Sequence, residues 1–180
     1  TGSGKMPEPE ILFQYIEREL AGPKDLTGKK VLVTAGPTQE NIDPVRYITN
    51  HSSGKMGYAV AKAAMLRGAE VTLVSGQTAL TPPMFVDYVQ ITTAEEMYQA
   101  VTSRSDEQDI IIKAAAVADY RPKTVYENKV KKQDGQMSIE LERTRDILAY
   151  LGEHKRENQF LCGFSMETEN MIGNSRAKLQ

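Results

Sequence analysis

Residues 34–57 read TAGPTQENIDPVRYITNHSSGKMG, and this stretch decides the fold that the rest of the sequence predicts. It follows the apolar residues 31–33 and ends where an apolar-periodic helix is expected to begin, near Lys55. A loop that joins a strand to a helix N-terminus presents unpaired backbone N–H groups and the positive end of the helix dipole. Such a loop favours an anion, most often a phosphate. An ordinary loop with a capped helix is the alternative interpretation.

Two common phosphate-binding signatures are absent from this loop. A P-loop requires a glycine five residues before its Gly-Lys pair and a Ser or Thr after it. Thr49 and Met56 occupy these positions. The dinucleotide fingerprint G-x-G-x-x-G does not follow the first predicted strand either. The loop therefore has the physical properties of a nucleotide site without either familiar motif.

The flanking pattern predicts a parallel α/β sheet. Apolar runs that are suited to strands alternate with amphipathic helices, which is typical of right-handed crossovers between parallel strands. A hairpin turn is expected at Asp134-Gly135, between two alternating segments. The predicted class is a three-layer, Rossmann-like, mostly parallel sheet with an antiparallel hairpin extension. Strands are expected at residues 30–34, 70–74, 85–92, 109–115, 129–131, 138–141 and 159–164, and helices at residues 7–20, 56–66, 94–103 and 145–154.

A second loop of small residues follows the fourth predicted strand. It contains Ala115 and Ala116, which let a ligand lie against the backbone, and then Asp119. Parallel sheets bind ligands outside the carboxyl ends of their strands, so the two loops should face one cleft. Asp119 is suited to bind a base, a ribose or a Mg²⁺ ion between phosphates. The equal alternative is an Asp that caps the turn before Pro122.

Composition restricts the class of protein. The sequence has 180 residues, of which 40% are hydrophobic and 26% charged, as in one soluble globular domain. A net charge of -2 argues against a nucleic-acid partner held by a broad basic face. Cys162 is the single cysteine, which excludes an internal disulfide, and with 2 histidines it argues against a zinc site. No membrane-spanning stretch or signal peptide is evident, so a cytoplasmic location is expected.

Four motifs together resemble one enzyme family. They are TAGPTQENIDPVRYITNHSSGKMGYAVAKAAMLRGAEVTLVSG, AAAVADYRP, ENKVKK and GFSMET. The sequence that contains them, from about residue 29 to residue 178, resembles phosphopantothenoylcysteine synthetase, the second domain of the bifunctional coenzyme A biosynthesis flavoprotein. The N-terminal GSGKMPEPE is similar to the end of the preceding decarboxylase domain. The resemblance implies that residues 1–28 are a linker and helix from that domain and that residues 29–180 are a C-terminally truncated ligase domain.

The resemblance also implies an activity. Family members condense 4'-phosphopantothenate with L-cysteine in coenzyme A biosynthesis, with CTP as co-substrate and Mg²⁺. The carboxylate attacks the α-phosphorus of CTP to give an acyl-cytidylate and pyrophosphate, and the cysteine amine then displaces CMP. FMN would belong only to the decarboxylase domain of the same polypeptide. A homodimer is implied, with the hairpin as an exchanged or paired arm.

Residue roles follow from the same resemblance. Asn50 would act on the acyl-cytidylate, and Lys129 would support cytidylate formation, so both are implied to be catalytic. Arg46 and Asn50 are predicted to bind the substrate, and Asp119 to share a Mg²⁺ ion with the triphosphate. The residues implied to bind CTP are Ser52, Ser53, Gly54, Lys55, Ala115, Ala116, Asp119, Lys129, Asp146, Ile147, Leu148, Phe164 and Lys178.

The sequence departs from the family pattern at two places. Thr144-Arg145 stands where the family has Asn-Pro before the Asp-Ile pair, and Lys178 matches only the first of two lysines near the last helix. Two other functions are compatible with the loop: an NADP-binding Rossmann oxidoreductase and a non-catalytic nucleotide-binding module. The missing glycine fingerprint argues against the oxidoreductase. Tyr120, Tyr126 and Tyr150 are also not followed by a lysine four residues later, as a Tyr-x-x-x-Lys catalytic pair would require.

Overall fold

The computed structural model describes residue 4 and residues 6–132 and 136–166. Its elements in chain order are α1 (Pro9–Leu20), β1 (Lys30–Ala35), β2 (Gln39–Asn41), β3 (Tyr47–Thr49), α2 (Lys55–Leu66), β4 (Glu70–Ser75), β5 (Asp87–Gln90), α3 (Ala94–Thr102), a short 3-10 helix (Ser105–Glu107), β6 (Ile110–Lys113), β7 (Tyr120–Pro122), β8 (Leu141–Arg143), α4 (Ile147–His154) and β9 (Phe160–Gly163). None of the helices in these described ranges is long and apolar enough to cross a membrane.

A five-stranded parallel sheet forms the centre of the fold, and its strand order is β5-β4-β1-β6-β9. The first strand of the chain, β1, is therefore the central strand, and it pairs with β4 on one side and β6 on the other. Helices cover both faces of this sheet, which confirms the predicted α/β class. Because both faces are covered, β1 is apolar on both sides and its residues 31–35 are all buried.

Each face of the sheet has its own hydrophobic core. Alternate residues of a strand point to opposite faces, so Val31 and Val33 pack on one side and Leu32 on the other. The core that contains Val33 also includes Tyr58 and Met65 of α2. The core that contains Leu32 includes residues of α3 and α4. The two cores hold β1 rigidly, and the residues that leave its carboxyl end are positioned by it.

Helix α1 lies against α2 and has no buried residue. Its side chains contact α2 and the segment before β5. Glu17 forms an ion pair with Lys62 of α2 at 3.0 Å. Tyr15 packs edge-on against Phe85 with 4.8 Å between ring centroids. The helix is thus attached to the outside of the α/β unit and takes no part in its cores.

The antiparallel part of the prediction is confirmed, but its strands lie elsewhere. Tyr120–Pro122 pairs with Leu141–Arg143, whereas residues 129–131 and 138–140 form no strand. The backbone of Val130 is bonded instead to Asp43 and Arg46, which removes it from any pairing with residues 138–141. The predicted turn at Asp134-Gly135 lies outside the described residues. A second hairpin, β2 with β3, occurs inside the long loop and was not predicted.

Three element boundaries differ from the predictions for local reasons. Strand β5 begins at Asp87 and not at residue 85, because Phe85 has a positive φ of 66°, which interrupts an extended strand. Helix α4 begins at Ile147 because Asp146 caps it. Strand β6 ends at Lys113, where the chain turns into the small-residue loop.

Candidate functional site

The loops after β1 and β6 are joined directly at the carboxyl ends of their strands. The amide of Ala116 donates to the Gly36 carbonyl at 2.9 Å, and the amide of Thr38 donates to the Ala116 carbonyl at 3.2 Å. An isolated parallel bridge between Pro37 and Ala116 extends the pairing of β1 with β6. The prediction that both loops face one cleft agrees with this arrangement. The loops act as a single surface and not as two independent flaps.

Two buried threonines fix the second loop to the first. The Thr34 hydroxyl accepts a hydrogen bond from the Ala115 amide at 3.2 Å, and the Thr38 hydroxyl accepts one from the Ala118 amide at 3.0 Å. Both threonines are fully buried. A buried amide without a partner is costly, so these hydroxyls hold the small-residue loop in one conformation. The loop that is predicted to contact a ligand is therefore preorganised.

Asn50 spans the joint between the loops. Its Nδ2 atom donates to the carbonyls of Ala116 and Val117, at 3.3 and 3.2 Å. The side chain is otherwise exposed, and no hydrogen bond to its Oδ1 atom occurs within the described ranges. Anchoring through Nδ2 leaves Oδ1 oriented and available to a ligand. Asn50 thus lies beside Ala116, in agreement with their assignment to one site.

The N-terminus of α2 is open. Gly54 is its N-cap in the left-handed conformation, with φ 75°, and no side chain caps the helix. The Ser52 and Ser53 hydroxyls approach the amides of Gly54 and Lys55 at only 3.4 and 3.5 Å, at the limit of hydrogen bonding. The helix therefore presents backbone N–H groups and its positive dipole end at the surface. Lys55 is exposed next to them.

Close packing holds that helix N-terminus against β1. A Cβ atom on Gly57 would lie 2.6 Å from the Ala35 Cβ and 2.9 Å from the Thr34 carbonyl oxygen. A Cβ on Gly54 would lie 2.8 Å from Thr78 Cγ2, in addition to the strain of its positive φ. Glycine is thus required at both positions for the first turn of α2 to approach the strand end.

The segment from Asp146 to Leu148 lies at the neighbouring strand ends, but two of its three side chains have structural contacts. The Asp146 Oδ1 atom accepts hydrogen bonds from the amides of Leu148 and Ala149, at 2.9 and 3.0 Å, and caps α4. Ile147 is buried in the core. Leu148 packs near Gly163 at the end of β9, and the Phe164 amide donates to the Lys113 carbonyl at 3.2 Å. The Phe164 side chain is 55% exposed.

Lys113 is a residue of this edge that sequence reasoning missed. It is half-buried at the end of β6. Burial lowers the pKa of its ammonium group, while Asp146 and Asp119 act in the opposite direction. These two carboxylates belong to the predicted CTP-binding set. The signal was present in the sequence as a charged residue at the carboxyl end of an otherwise apolar strand.

Arg46 is bonded to a buried carboxylate. Its Nε and Nη2 atoms donate to Asp43 Oδ2 at 3.1 and 2.6 Å, and Nη2 also donates to the Val130 carbonyl at 3.1 Å. The Arg46 guanidinium is the largest cause of the strongly lowered pKa of the Asp43 carboxyl. The predicted role of Arg46 in substrate binding stays a prediction. The Asp-Pro-Val-Arg spacing was the available sequence signal for this pair, because it places both side chains on one turn.

The remaining predicted residues differ in how well they are placed. Lys129 is exposed, and the next residue, Val130, is the one whose backbone is bonded to the Asp43–Arg46 pair.

Asp119 is exposed, with its carboxylate available. The described part of the chain has no group of three His, Cys, Asp or Glu side chains that would hold a metal ion. A Mg²⁺ ion at Asp119 would therefore need oxygen ligands from a bound nucleotide and water. Lys178 lies outside the described residues.

Comparison with known proteins gives consistent results. Residues 26–180 match the family described as DNA/pantothenate metabolism flavoprotein C-terminal domain. The chain is 49% identical over 181 residues to the coenzyme A biosynthesis bifunctional protein CoaBC of Bacillus subtilis, covering 99% of this chain and 44% of that protein. It spans about half the length of the curated relatives that it matches.

Solved structures have the same fold. The crystal structure of the C-terminal domain of CoaBC superposes with a TM-score of 0.77 at 52% identity, covering 87% of this chain and 74% of that one. A Cab2 mutant in complex with phosphopantothenate-cysteine has a TM-score of 0.71, with 96% of this chain and 77% of that chain covered. Its 18% identity supports a common fold alone.

Proposed function

This chain belongs to the DNA/pantothenate metabolism flavoprotein C-terminal domain family, and from that premise we propose that it is a phosphopantothenate–cysteine ligase of coenzyme A biosynthesis. It condenses 4'-phosphopantothenate with L-cysteine through an acyl-cytidylate formed from CTP. One observation carries the proposal: Asn50 bridges to the loop after β6 at the point where that loop is bonded to the loop after β1. The relatives named coenzyme A biosynthesis bifunctional protein CoaBC support the assignment to coenzyme A biosynthesis.

In the first half-reaction the substrate carboxylate attacks the α-phosphorus of CTP, and pyrophosphate leaves. The chemistry requires positive groups around the triphosphate. The open N-terminus of α2 supplies backbone N–H groups from the segment of Ser52, Ser53 and Gly54, and Lys55 and Lys129 supply cationic side chains. Lys129 offsets the negative charge that develops as the phosphorus–oxygen bond breaks.

In the second half-reaction the cysteine amine attacks the acyl carbon, the new C–N bond forms, and the bond to CMP breaks. Asn50 acts here. Its Nδ2 atom is held by two backbone carbonyls, so its Oδ1 atom is fixed in orientation and accepts a hydrogen bond from the attacking amine. Fixing both reactants lowers the entropic part of the barrier. Ala115 and Ala116 leave room for the acyl-cytidylate against the backbone.

The proposal includes a metal ion and two protein partners. Asp119 would share Mg²⁺ with the triphosphate, and the ion would neutralise phosphate charge when bound. The active assembly is a homodimer in the cytoplasm, and the partner domain is an FMN-dependent decarboxylase of the same polypeptide. Residues 1–28, which include the externally attached α1, form the connection to that domain.

A thermal-shift titration with CTP, ATP and NADPH, each with Mg²⁺, tests the nucleotide. A ligand that binds only the folded state stabilises it by RT ln(1 + [L]/Kd), about 2.7 kcal/mol at a hundredfold excess over Kd. We expect the largest rise of the unfolding midpoint with CTP. A rise with NADPH alone would identify an oxidoreductase site and overturn the ligase proposal.

The variant Asn50→Asp tests the chemistry. The carboxylate keeps the size of the amide but cannot donate to the carbonyls of Ala116 and Val117, so the group loses its anchor. We expect pyrophosphate release from CTP to continue while the acyl-cytidylate accumulates and product formation falls. A normal rate of cysteine adduct formation in this variant would refute the role of Asn50. If the protein is instead a non-catalytic nucleotide-binding module, the unmodified protein would bind CTP but release no pyrophosphate.

A further inference from the structure

We propose that Asp43 is a positioning residue for Lys129. Its carboxylate ties residues 126–130, here termed the strap, to the turn between β2 and β3, and thereby holds Lys129 in place. This inference rests on the proposed function, because it gives Lys129 a role in cytidylate formation. The residue roles implied by the sequence do not include Asp43.

The Asp43 side chain is completely buried, and its oxygens are shared between two segments of the chain. Oδ1 accepts hydrogen bonds from the amides of Val45 and Arg46, each at 2.9 Å, which closes the turn between β2 and β3. Oδ2 accepts from the Arg46 guanidinium and from the Val130 amide, the latter at 3.1 Å. One oxygen thus forms the turn, and the other attaches the strap.

The strap is held at both of its ends by this turn. The amide of Tyr126 donates to the Ile42 carbonyl at 3.0 Å. At the other end the Val130 amide is bound by Asp43 and the Val130 carbonyl by Arg46. Lys129 lies within this double attachment, so its backbone is fixed while its side chain is exposed.

The turn that fixes the strap also leads to Asn50. Strand β3 ends at Thr49, whose hydroxyl donates to the Thr38 carbonyl at 2.7 Å, and Asn50 follows at once. Lys129 and Asn50 are thus positioned from one hairpin, although they are distant in sequence. Lys129, which acts in the first half-reaction, and Asn50, which acts in the second, are therefore both held by the β2–β3 hairpin.

The negative charge of Asp43 is required for this attachment. A buried carboxylate accepts from several N–H groups at once and balances the Arg46 guanidinium. In Asp43→Asn the amide oxygen can still close the turn, but the NH₂ group would face the guanidinium and the Val130 amide, which are both donors. The substitution should therefore release the strap and leave the turn in place.

Tryptic cleavage of the Lys129–Val130 bond tests the attachment without any assumption about activity. Both backbone groups of Val130 are bonded in the folded protein, so cleavage there requires the strap to detach. We expect trypsin to cleave this bond about tenfold faster in Asp43→Asn than in the unmodified protein, because the strap loses a hydrogen bond to a charged group. The matched control is Asp25→Asn, which breaks a forked ion pair with Arg67 elsewhere and should leave this cleavage rate unchanged.

A double-mutant cycle tests whether the attachment serves Lys129. We expect Asp43→Asn to lower the kcat of pyrophosphate release about tenfold in the Lys129-containing protein and to have no further effect in the Lys129→Ala background. An equal fall in both backgrounds would show that Asp43 acts only through general stability and would overturn the inference. Unchanged cleavage of the 129–130 bond in Asp43→Asn would overturn it as well.

The two tests distinguish failure of this inference from failure of the proposed function. If Lys129→Ala released pyrophosphate at the normal rate, Lys129 would have no role in cytidylate formation, and the purpose assigned to Asp43 would fail with it. The cleavage experiment would then still report whether Asp43 holds the strap. A role of Lys129 in catalysis combined with an unaffected strap would refute only the positioning role.

Discussion

Two aspartate–arginine pairs of the molecule have similar hydrogen-bond distances in different surroundings. Both Arg46 nitrogens donate to Oδ2 of Asp43, whereas the two Arg67 nitrogens donate to separate oxygens of Asp25. In each pair the arginine Nε and Nη2 atoms donate to the carboxylate, at 3.1 and 2.6 Å for Asp43–Arg46 and at 2.8 and 2.6 Å for Asp25–Arg67. The Asp43 side chain is 0% exposed and the Asp25 side chain 45% exposed. The buried carboxylate also accepts hydrogen bonds from backbone amides of two segments, whereas Asp25 joins the loop before β1 to the end of α2.

The polar contacts at the two ends of the parallel sheet can be compared in the same way. At the amino ends of the strands, charged side chains form exposed ion pairs, as in Lys30–Glu107 at 3.3 Å. Gln159 is buried at this end and donates to the Ser105 and Gln108 carbonyls, both at 2.7 Å. At the carboxyl ends, polar side chains are buried and bind backbone. Glu40, for example, is buried and accepts a hydrogen bond from the Ala94 amide at the first turn of α3, at 2.8 Å. Buried polar groups with complete hydrogen bonding specify one conformation, which a binding site requires.

The largest effect is expected from a substitution in the candidate site. Lys129→Ala should reduce pyrophosphate release from CTP about 100-fold, the usual loss when one charge-stabilising group is removed from a reaction centre. The unfolding midpoint should not change, because Lys129 is exposed. A matched control is Lys123→Ala, an exposed lysine 3.5 Å from Glu140 that has no assigned role. Equal losses in both variants would contradict a specific role for Lys129.

The two ion pairs should differ in how they contribute to stability as pH changes. The arginine hydrogen bond lowers the pKa of both Asp43 and Asp25, so each ionised carboxylate stabilises the fold above the ordinary carboxyl pKa. We expect Asp43→Asn to destabilise more than Asp25→Asn at pH 7. The loss of unfolding free energy in Asp43→Asn, relative to the unmodified protein, should persist down to about pH 5. It should narrow below about pH 4, because the Asp43 carboxyl of the unfolded chain then becomes protonated. Urea unfolding at several pH values measures the stability of both variants. Equal destabilisation by Asp43→Asn and Asp25→Asn at pH 7 would contradict the expected difference between the buried and the exposed pair.

Two glycine substitutions compare a closely packed helix position, Gly57 in α2, with an open one, Gly152 in α4. Gly57→Ala places a methyl group against β1 at the carboxyl edge and should destabilise by about 1–3 kcal/mol. Gly152→Ala lies in α4, where a Cβ meets no atom within 4 Å, and should stabilise by roughly 0.5–1 kcal/mol. Thermal or urea unfolding of both variants gives the comparison. A neutral Gly57→Ala would show that α2 can move away from the strand without cost.

The smallest effect is expected at the amino ends of the strands. Lys30→Ala removes an exposed ion pair with Glu107, and such pairs contribute about 0–1 kcal/mol. The Lys30 amide still donates to the Asp109 carboxylate at 2.9 Å after this substitution, so β1 and β6 remain linked. Product formation should be unchanged. A loss of activity in this variant would show that the two ends of the sheet are coupled.

The sequence predicted the parallel sheet well because the information is local. Continuous apolar runs separated by helical periodicity predict covered parallel strands whatever their spatial order, and β1, β4, β6 and β9 lie where they were expected. The start of α3 is also determined locally, since Thr93 and Glu96 form a capping box in which both hydrogen bonds are present.

The errors arose where one segment pairs with another that is distant in sequence. The alternation around residues 129–131 predicts a strand, yet Val130 is bonded to a turn that lies 84–87 residues earlier in the chain. The β2–β3 hairpin was missed because the long loop has mixed polarity and its short strands have no clear alternation. Lys113 was missed because its importance depends on carboxylates that only the fold brings near.

The position of β1 has a consequence for biosynthesis. The buried residues of one core all lie between residues 31 and 73, so they leave the ribosome together and can pack with α2 early. The other core requires Ile147 and Leu151. At roughly 5–20 residues per second, translation of the intervening chain takes several seconds. During that interval the face with Leu32 and Val74 would be covered by α3 without α4, so part of it would be accessible to a chaperone.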